Sequence, residues 1–301
     1  MPHAPPYRLK HILVASDFSA VASMATRRAA DLARTTRGEL RLLHVLSTSM
    51  LDELRTWLGP DAPWQDRLHQ QAQRSLETQA RELGQSHQVP VESLVIDGPP
   101  VQTATEMVQG WPADLLVVGA RGDNPLHHLL IGTTAERLLG NARQPLLLVR
   151  TEPATPYRRV LLPLDFSTWS ESAITLAQAV APGAHLVLMH SFSIPFEEKL
   201  RFAGVNDDTL GHYREHARRD ARDHLYALVD RHSLQPNDFT LCLTEGDAPL
   251  HILTTATERD CDLIVIGKHG RQAADELLLG SVTRHVLTEA DCDVLVSTHR
   301  D

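Results

Sequence analysis

Two stretches of the chain hold residue types suited to binding an anion. Gly267-Lys268-His269-Gly270 is followed, after nine residues, by Gly280-Ser281-Val282-Thr283. Gly119-Ala120-Arg121-Gly122 is followed, after the same nine, by Gly132-Thr133-Thr134. Glycine lets a backbone come close to a ligand or take positive φ. The third glycine of each set precedes a helix-like segment. The free N–H groups of a first helical turn, with the helix dipole behind them, favour phosphate. Ser281, Thr283, Thr133 and Thr134 would add hydroxyls beside such an anion, and Arg121 a guanidinium. One such glycine alone would signify an ordinary strand-to-helix turn. The repetition argues for a ligand.

The elements that must position these residues also occur twice. Gly119 and Gly267, Gly132 and Gly280, Asp17 and Asp165, and Gly98 and Gly246 are each 148 positions apart. One offset held across four landmarks means a duplicated domain, not a solenoid of short repeats. In the first half the pattern predicts strands over residues 11–16, 40–46, 91–96, 115–118 and 145–149. Ser19 is placed to cap a first helix that stops near Gly38, and a long helical stretch over residues 51–83 is broken at Gly59-Pro60 and Ala62-Pro63. The second half restarts at Val160 after a linker over residues 150–158. Its long helix, over residues 207–232, carries an apolar stripe of Tyr213, Ala217, Ala221, Leu225 and Leu228. Strands alternating with helices predict right-handed βαβ units and a parallel sheet covered on both faces.

At these landmarks the chain resembles a tandem universal stress protein. That family's nucleotide motif is glycine, two residues, glycine, nine residues, glycine, then serine or threonine. Both halves match it, and both carry Asp-Phe-Ser after the first strand, at Asp17 and Asp165. The resemblance covers roughly residues 8–150 and 158–298. It implies two tandem flavodoxin-like (Rossmann-like) α/β domains, over residues 1–150 and 151–301, each a five-stranded parallel sheet of order 3-2-1-4-5 with helices on both faces. Open parallel sheets bind ligands beyond the carboxyl ends of their strands, where the strand order reverses. Asp17 with Gly119, and Asp165 with Gly267, stand at those ends.

The ligand this resemblance implies is ATP or another adenine nucleotide, in one or both domains. In the second half the implied contacts are Pro163, Asp165, Gly267, His269, Gly270, Gly280, Ser281, Val282 and Thr283. In the first half they are Asp17, Val45, Gly119, Arg121, Gly122, Gly132, Thr133 and Thr134. The aspartates would face the nucleoside, Val45 and Ser191 would border the base, and the glycines and hydroxyls would hold ribose and phosphates. For each aspartate the competing role is a turn or N-cap before a helix. The halves are unequal: Ala135 stands where Thr283 does, and Ala15 where Pro163 does. The first crevice is therefore expected to hold a triphosphate less tightly. The implied role is stress response, with nucleotide as a signal or a stabilising ligand. No general base for attacking water is legible, so at most slow ATP hydrolysis is expected. Mg²⁺ stays open as an accompanying ion, although no carboxylate cluster to hold it stands out. The alternative is a stress module with degenerate crevices that binds another ligand or a protein.

Composition narrows the field further. A chain of 301 residues, 42% apolar, can build two ordinary domains. Its net charge of −9 gives no general attraction to nucleic acid. Three cysteines without paired spacing argue against a disulfide framework and fit a reducing, cytoplasmic setting. No apolar run reaches the ~18–20 residues that span a bilayer, and the Walker A, G-x-G-x-x-G and G-x-S-x-G motifs are absent. His212 and His216 fit unpartnered surface histidines better than a metal site. The short apolar fifth strands, residues 145–149 and 293–296, would be aggregation-prone edges if uncovered. They are expected to bring the two halves together as an intramolecular pseudo-dimer, and a homodimer of whole chains is left open.

Overall fold

The apolar runs become strands and the amphipathic segments between them become helices. The computed structural model describes residues 7–59, 63–120, 132–153, 156–194, 196–270 and 279–298. The first half runs β1 (His11–Ala15), α1 (Ala20–Thr36), β2 (Glu39–Ser47), α2 (Thr48–Leu58), α3 (Trp64–His87), β3 (Val91–Gly98), α4 (Pro100–Gly110), β4 (Leu115–Gly119), α5 (Thr133–Asn141) and β5 (Leu146–Val149). The second half runs β6 (Arg159–Pro163), α6 (Thr168–Val180), β7 (His185–Phe192), α7 (Glu197–Phe202), α8 (Asp207–Arg231), β8 (Phe239–Glu245), α9 (Ala248–Glu258), β9 (Leu263–Gly267), α10 (Ser281–Glu289) and β10 (Asp293–Ser297).

Local chemistry sets the boundaries. Ser19 caps α1 by accepting from the Ala22 N–H, and Ser167 caps α6 by accepting from the Ser170 N–H. Helix α1 ends near Gly38 as the sequence suggests, with Arg37 as its cap residue in the left-handed conformation at φ 55°. Gly38 itself is required because a Cβ there would lie 2.8 Å from the Lys10 carbonyl oxygen. The short helix α7 has no counterpart in the sequence pattern. Tyr213 is a second correction, being 57% exposed. Three residues turn a helix by ~300°, so Tyr213 falls at the margin of the buried line through Leu210, Leu225 and Leu228.

The strand order is β3-β2-β1-β4-β5-β10-β9-β6-β7-β8. Each half has the expected order, and every pairing within a half is parallel. The two sheets do not remain separate. Strands β5 and β10 pair antiparallel and fuse them into one ten-stranded sheet. In the register, Leu147 faces Leu295, its own counterpart in the repeat, with Leu148 against Val294 and Leu146 against Val296. The seam is thus a local twofold axis. Alternating strand residues feed two cores that run unbroken through both halves. Helices α1, α3, α6 and α8 cover one face, and α4, α5, α9 and α10 the other. Burial pushes the thiol of Cys261 up to about 11 and that of Cys292 to about 12, so both remain protonated in the second core. Among the described residues no helix is long and apolar enough to cross a membrane.

A buried polar cluster closes the seam. Asp293, on β10, is fully buried. Its Oδ1 accepts from the N–H of Arg150 at 2.8 Å and from the N–H and hydroxyl of Thr151 at 3.1 and 3.2 Å. Its Oδ2 accepts from the Tyr157 hydroxyl at 2.6 Å and lies 3.3 Å from Nε of Arg28, on α1. The Arg28 guanidinium also stacks over the Tyr157 ring, 4.2 Å from its centroid. Arg28 and Asp293 correspond, 148 positions away, to Leu176 and Pro145, so this cluster breaks the symmetry.

Two outcomes follow from it. Asp293→Ala removes the carboxylate that faces a buried guanidinium and four hydrogen-bond donors, and should lower stability by about 3–5 kcal/mol. Combining Arg28→Leu with Asp293→Leu should recover a large part of that loss in urea unfolding, and a double variant no more stable than Asp293→Ala would contradict it. Burial, then the adjacent Asp293 carboxylate, holds the Tyr157 phenol well above its ordinary value of 10.0. A raised folded-state pKa means that the stability Tyr157 contributes is complete below pH 10 and is lost as pH rises beyond it. The urea midpoint should therefore fall less between pH 8 and pH 11 in Tyr157→Phe than in the parent chain.

Candidate functional site

The sequence Asp-Phe-Ser makes the same tight structure at the end of β1 and of β6. Oδ1 of Asp17 accepts from the Ser19 N–H at 3.0 Å, and Oδ1 of Asp165 accepts from the Ser167 N–H at 3.1 Å and its hydroxyl at 2.5 Å. The serines then cap α1 and α6, so the competing role considered for the aspartates holds for one oxygen of each. The phenylalanine between them is forced left-handed, at φ 64° for Phe18 and 63° for Phe166. A bulky side chain in that region is strained and needs support. Support comes from strand two. The His44 ring packs on Phe18 and the His190 ring on Phe166, each 4.3 Å between centroids.

Those histidines stand beside the two Asp-Phe-Ser turns, and the local sequence pattern did not single them out. His44 Nδ1 donates to the Ser16 carbonyl at 2.7 Å, and His190 Nδ1 to the Leu164 carbonyl at 2.6 Å. A carbonyl can only accept, so the proton is on Nδ1 in both rings. The signal was present, since Leu42-Leu43-His44 and Leu188-Met189-His190 stand in equivalent registers on β2 and β7. It was hidden by an offset of 146 there, where the other landmarks keep 148.

In the second half the predicted residues come together. Pro163, Asp165, Gly267, His269, Gly270, Gly280, Ser281, Val282 and Thr283 all line one crevice of about 310 Å³, and Ser191 and His190 join them. Its walls are otherwise apolar, with Leu164, Met189, Ile252 and Ile266 among them. Such a mixture, an apolar cleft with a few fixed polar groups, suits a small organic ligand with a polar end. Oδ2 of Asp165 reaches the glycine loop, lying 3.0 Å from where a Cβ on Gly270 would stand. His269 is buried within the loop, its ring edge-on to Trp169 at 4.9 Å. Helix α10 starts at Gly280 with no side-chain cap, and exposed Ser281 is its first residue.

Several glycine and hydroxyl roles differ from expectation. Gly267 is needed for packing: a Cβ there would lie 2.9 Å from Cβ of Trp169 on α6. Gly119 is needed likewise, with a Cβ 3.1 Å from Val21 on α1. The Thr283 hydroxyl donates to the Gly267 carbonyl at 2.8 Å, tying the first turn of α10 to the end of β9. The Ser191 hydroxyl donates to the Gly246 carbonyl at 2.8 Å. Ala135 is buried where Thr283 is, and makes no such tie. In the first half, Asp17, Val45, Gly119, Gly132, Thr133 and Thr134 occupy the corresponding ends of β1, β2, β4 and α5. Arg121 and Gly122 lie outside the described residues. Of the other surface groups, His216 sits 3.3 Å from Asp220, and Arg214 bridges Glu197 and Glu245 at 2.7 and 2.5 Å, pinning α7 beside β8.

Comparison with known proteins agrees with this architecture. The family model of the Universal stress protein family matches residues 8–150 and again 156–298. A universal stress protein of Mycolicibacterium smegmatis is 27% identical over 304 residues, covering 95% of this chain and 96% of its own. One from Mycobacterium tuberculosis is 27% identical over 302 residues and covers 95% of both. The crystal structure of a universal stress protein from Archaeoglobus fulgidus shares the fold with a TM-score of 0.70, covering 97% of this chain and 99% of its own at 17% identity. Both halves are matched along nearly their whole length, and the chain belongs to the universal stress protein family, with two of its domains in tandem.

Proposed function

We propose that the second crevice binds an adenine nucleotide, with ATP as the first ligand to test. The observation that carries this is the meeting, in one apolar cleft, of the Asp165 carboxylate with a glycine loop and an uncapped helix start. The nucleoside would lie toward Asp165, His190 and Ser191, against Met189 and Ile252. The phosphates would lie over Gly270, Gly280 and Ser281, where the N–H groups and dipole of α10 favour anions. The protein acts here as a binding module whose occupied state differs from its empty one. Any Mg²⁺ would arrive with the triphosphate. Family membership and the repeated glycine motif support the same ligand class.

Isothermal calorimetry of the whole chain with ATP tests this, and a saturable site is the expected result. Gly270→Ala, which presses a methyl group on the Asp165 carboxylate, should weaken that site about tenfold or more while leaving the melting temperature within a few degrees. Absence of any binding heat, together with unchanged melting at millimolar ATP, would overturn the proposal.

The first crevice should bind the same ligand more weakly, for a reason different from the one the sequence suggested. Thr283 ties its helix to the strand end, and one neutral hydrogen bond is worth about 0.5–1.5 kcal/mol, or roughly two- to thirteenfold in affinity. Ala135→Thr should restore that tie and narrow the gap between the two sites. Two equal sites in the parent chain would contradict this account.

A further inference from the structure

The glycine loop of the second domain reaches into the first. Lys268 follows Gly267, and its backbone is bonded within the second domain. Its N–H donates to the Ser297 carbonyl at 2.9 Å, and its carbonyl accepts from the Gly280 N–H at 3.0 Å, at the start of α10. Its side chain is buried and points the other way. Nζ donates to the carbonyls of Gly140 at 3.0 Å and Ala142 at 3.3 Å. Those are end carbonyls of α5, the helix whose opposite end, Gly132 to Thr134, faces the first crevice. The last carbonyls of a helix lack intrahelical partners and carry its negative pole, so a desolvated ammonium there is a strong anchor.

The equivalent residue in the first half is Ala120. Its backbone makes the same two bonds, donating to the Val149 carbonyl at 2.9 Å and accepting from the Gly132 N–H at 3.0 Å. A methyl group cannot cross the seam. The far end of α10 is held instead by Arg150, which donates to the Leu287 carbonyl. Thr298, just beyond β10, donates to the Arg143 carbonyl at 2.8 Å, directly after α5. Each helix behind a glycine loop is therefore gripped at its rear by the other domain, and among the described residues it is α5 that is gripped by a residue of the opposite glycine loop.

We propose that Lys268 is a positioning residue that couples the two crevices, transmitting order from the second glycine loop to helix α5 of the first domain. The ligand named for those crevices rests on the nucleotide proposal above; the mechanical link does not. A ligand that fixes the loop from Gly267 to Gly270 fixes the Lys268 peptide, and with it the ammonium that holds α5. Ordering α5 in advance lowers the cost of binding at its other end, which is positive cooperativity through preorganisation. By linkage, the first crevice acts back on the second by the same factor.

Hydrogen exchange of the intact chain, read by mass spectrometry on the peptide covering α5, tests the link with and without nucleotide. Without it, four proteins form a cycle: the parent, Gly270→Ala, Lys268→Met and the double variant. Gly270→Ala disturbs the second loop alone, and should speed exchange in α5 roughly fivefold or more. Lys268→Met should do the same, the double variant should add nothing further, and Lys268→Arg should behave as the parent. An α5 unmoved by Gly270→Ala, or strictly additive effects, overturns the coupling. With ATP, and with the first crevice impaired by Asp17→Ala, exchange in α5 should slow when Lys268 is present and stay unchanged in Lys268→Met. Slowing in both overturns the coupling. If ATP protects no segment in any variant, the nucleotide proposal fails, and the cycle without ligand still decides the link.

Discussion

A carboxylate with no access to water must have its charge answered by the protein, and Asp293 is such a group. It takes three bonds from Arg150 and Thr151, one from Tyr157, and the charge of Arg28. These partners come from the segment between β5 and β6 and from α1. One side chain thus joins the last strand of the second domain to the first helix of the first. The antiparallel pairing of β5 with β10 is a local twofold, and on its own would admit either half in either place. The ion pair exists on one side of that axis only, with Leu176 and Pro145 on the other. It makes the two sides of the seam chemically distinct.

The same asymmetry runs outward to the crevices. At the described ends of the two glycine loops the backbone hydrogen bonds are shared, as Ala120 with Gly132 and Lys268 with Gly280 show. Side chains then divide the two sites. Trp169 replaces Val21 beside the first glycine, Thr283 replaces Ala135 in the helix, and Lys268 replaces Ala120 in the loop. Each change in the second half adds a contact: the Trp169 ring against His269, the Thr283 bond to Gly267, the Lys268 bonds to α5. Duplication kept the scaffold, and substitution on it made the two halves chemically unequal.

Strain is placed at the mouth of each crevice. Phe18 and Phe166 hold left-handed backbone conformations that a phenylalanine avoids, and each is supported by a histidine ring from strand two. The turn brings the aspartate to the strand end and at once starts the following helix. In the second half the Phe166 ring also meets His224 of α8, 5.0 Å between centroids. That contact links the long outer helix to the turn beside the crevice.

The sequence by itself determined the duplication, the alternation of strands and helices apart from α7, and the glycines, hydroxyls and aspartate that meet in the second crevice. Its 148-residue offset, the strand-loop-helix pattern at Gly119 and Gly267, and the serine caps at Ser19 and Ser167 all rest on local chemistry that one stretch of chain carries. Tertiary structure decided what each of those groups does. Gly267 and Gly119 serve helix packing because α6 and α1 cross directly over the strand ends. The Thr283 hydroxyl is spent on the Gly267 carbonyl because the first turn of α10 lies against it. His44 and His190 matter only because β2 and β7 lie beside the left-handed turns, a neighbourhood of residues 28 positions apart in the first half and 26 in the second. Lys268 and Asp293 could not have been assigned at all, since their partners lie more than 120 residues away. Local propensity and periodicity act over a few turns of chain, whereas a buried charge finds its partner only once distant segments have closed around it.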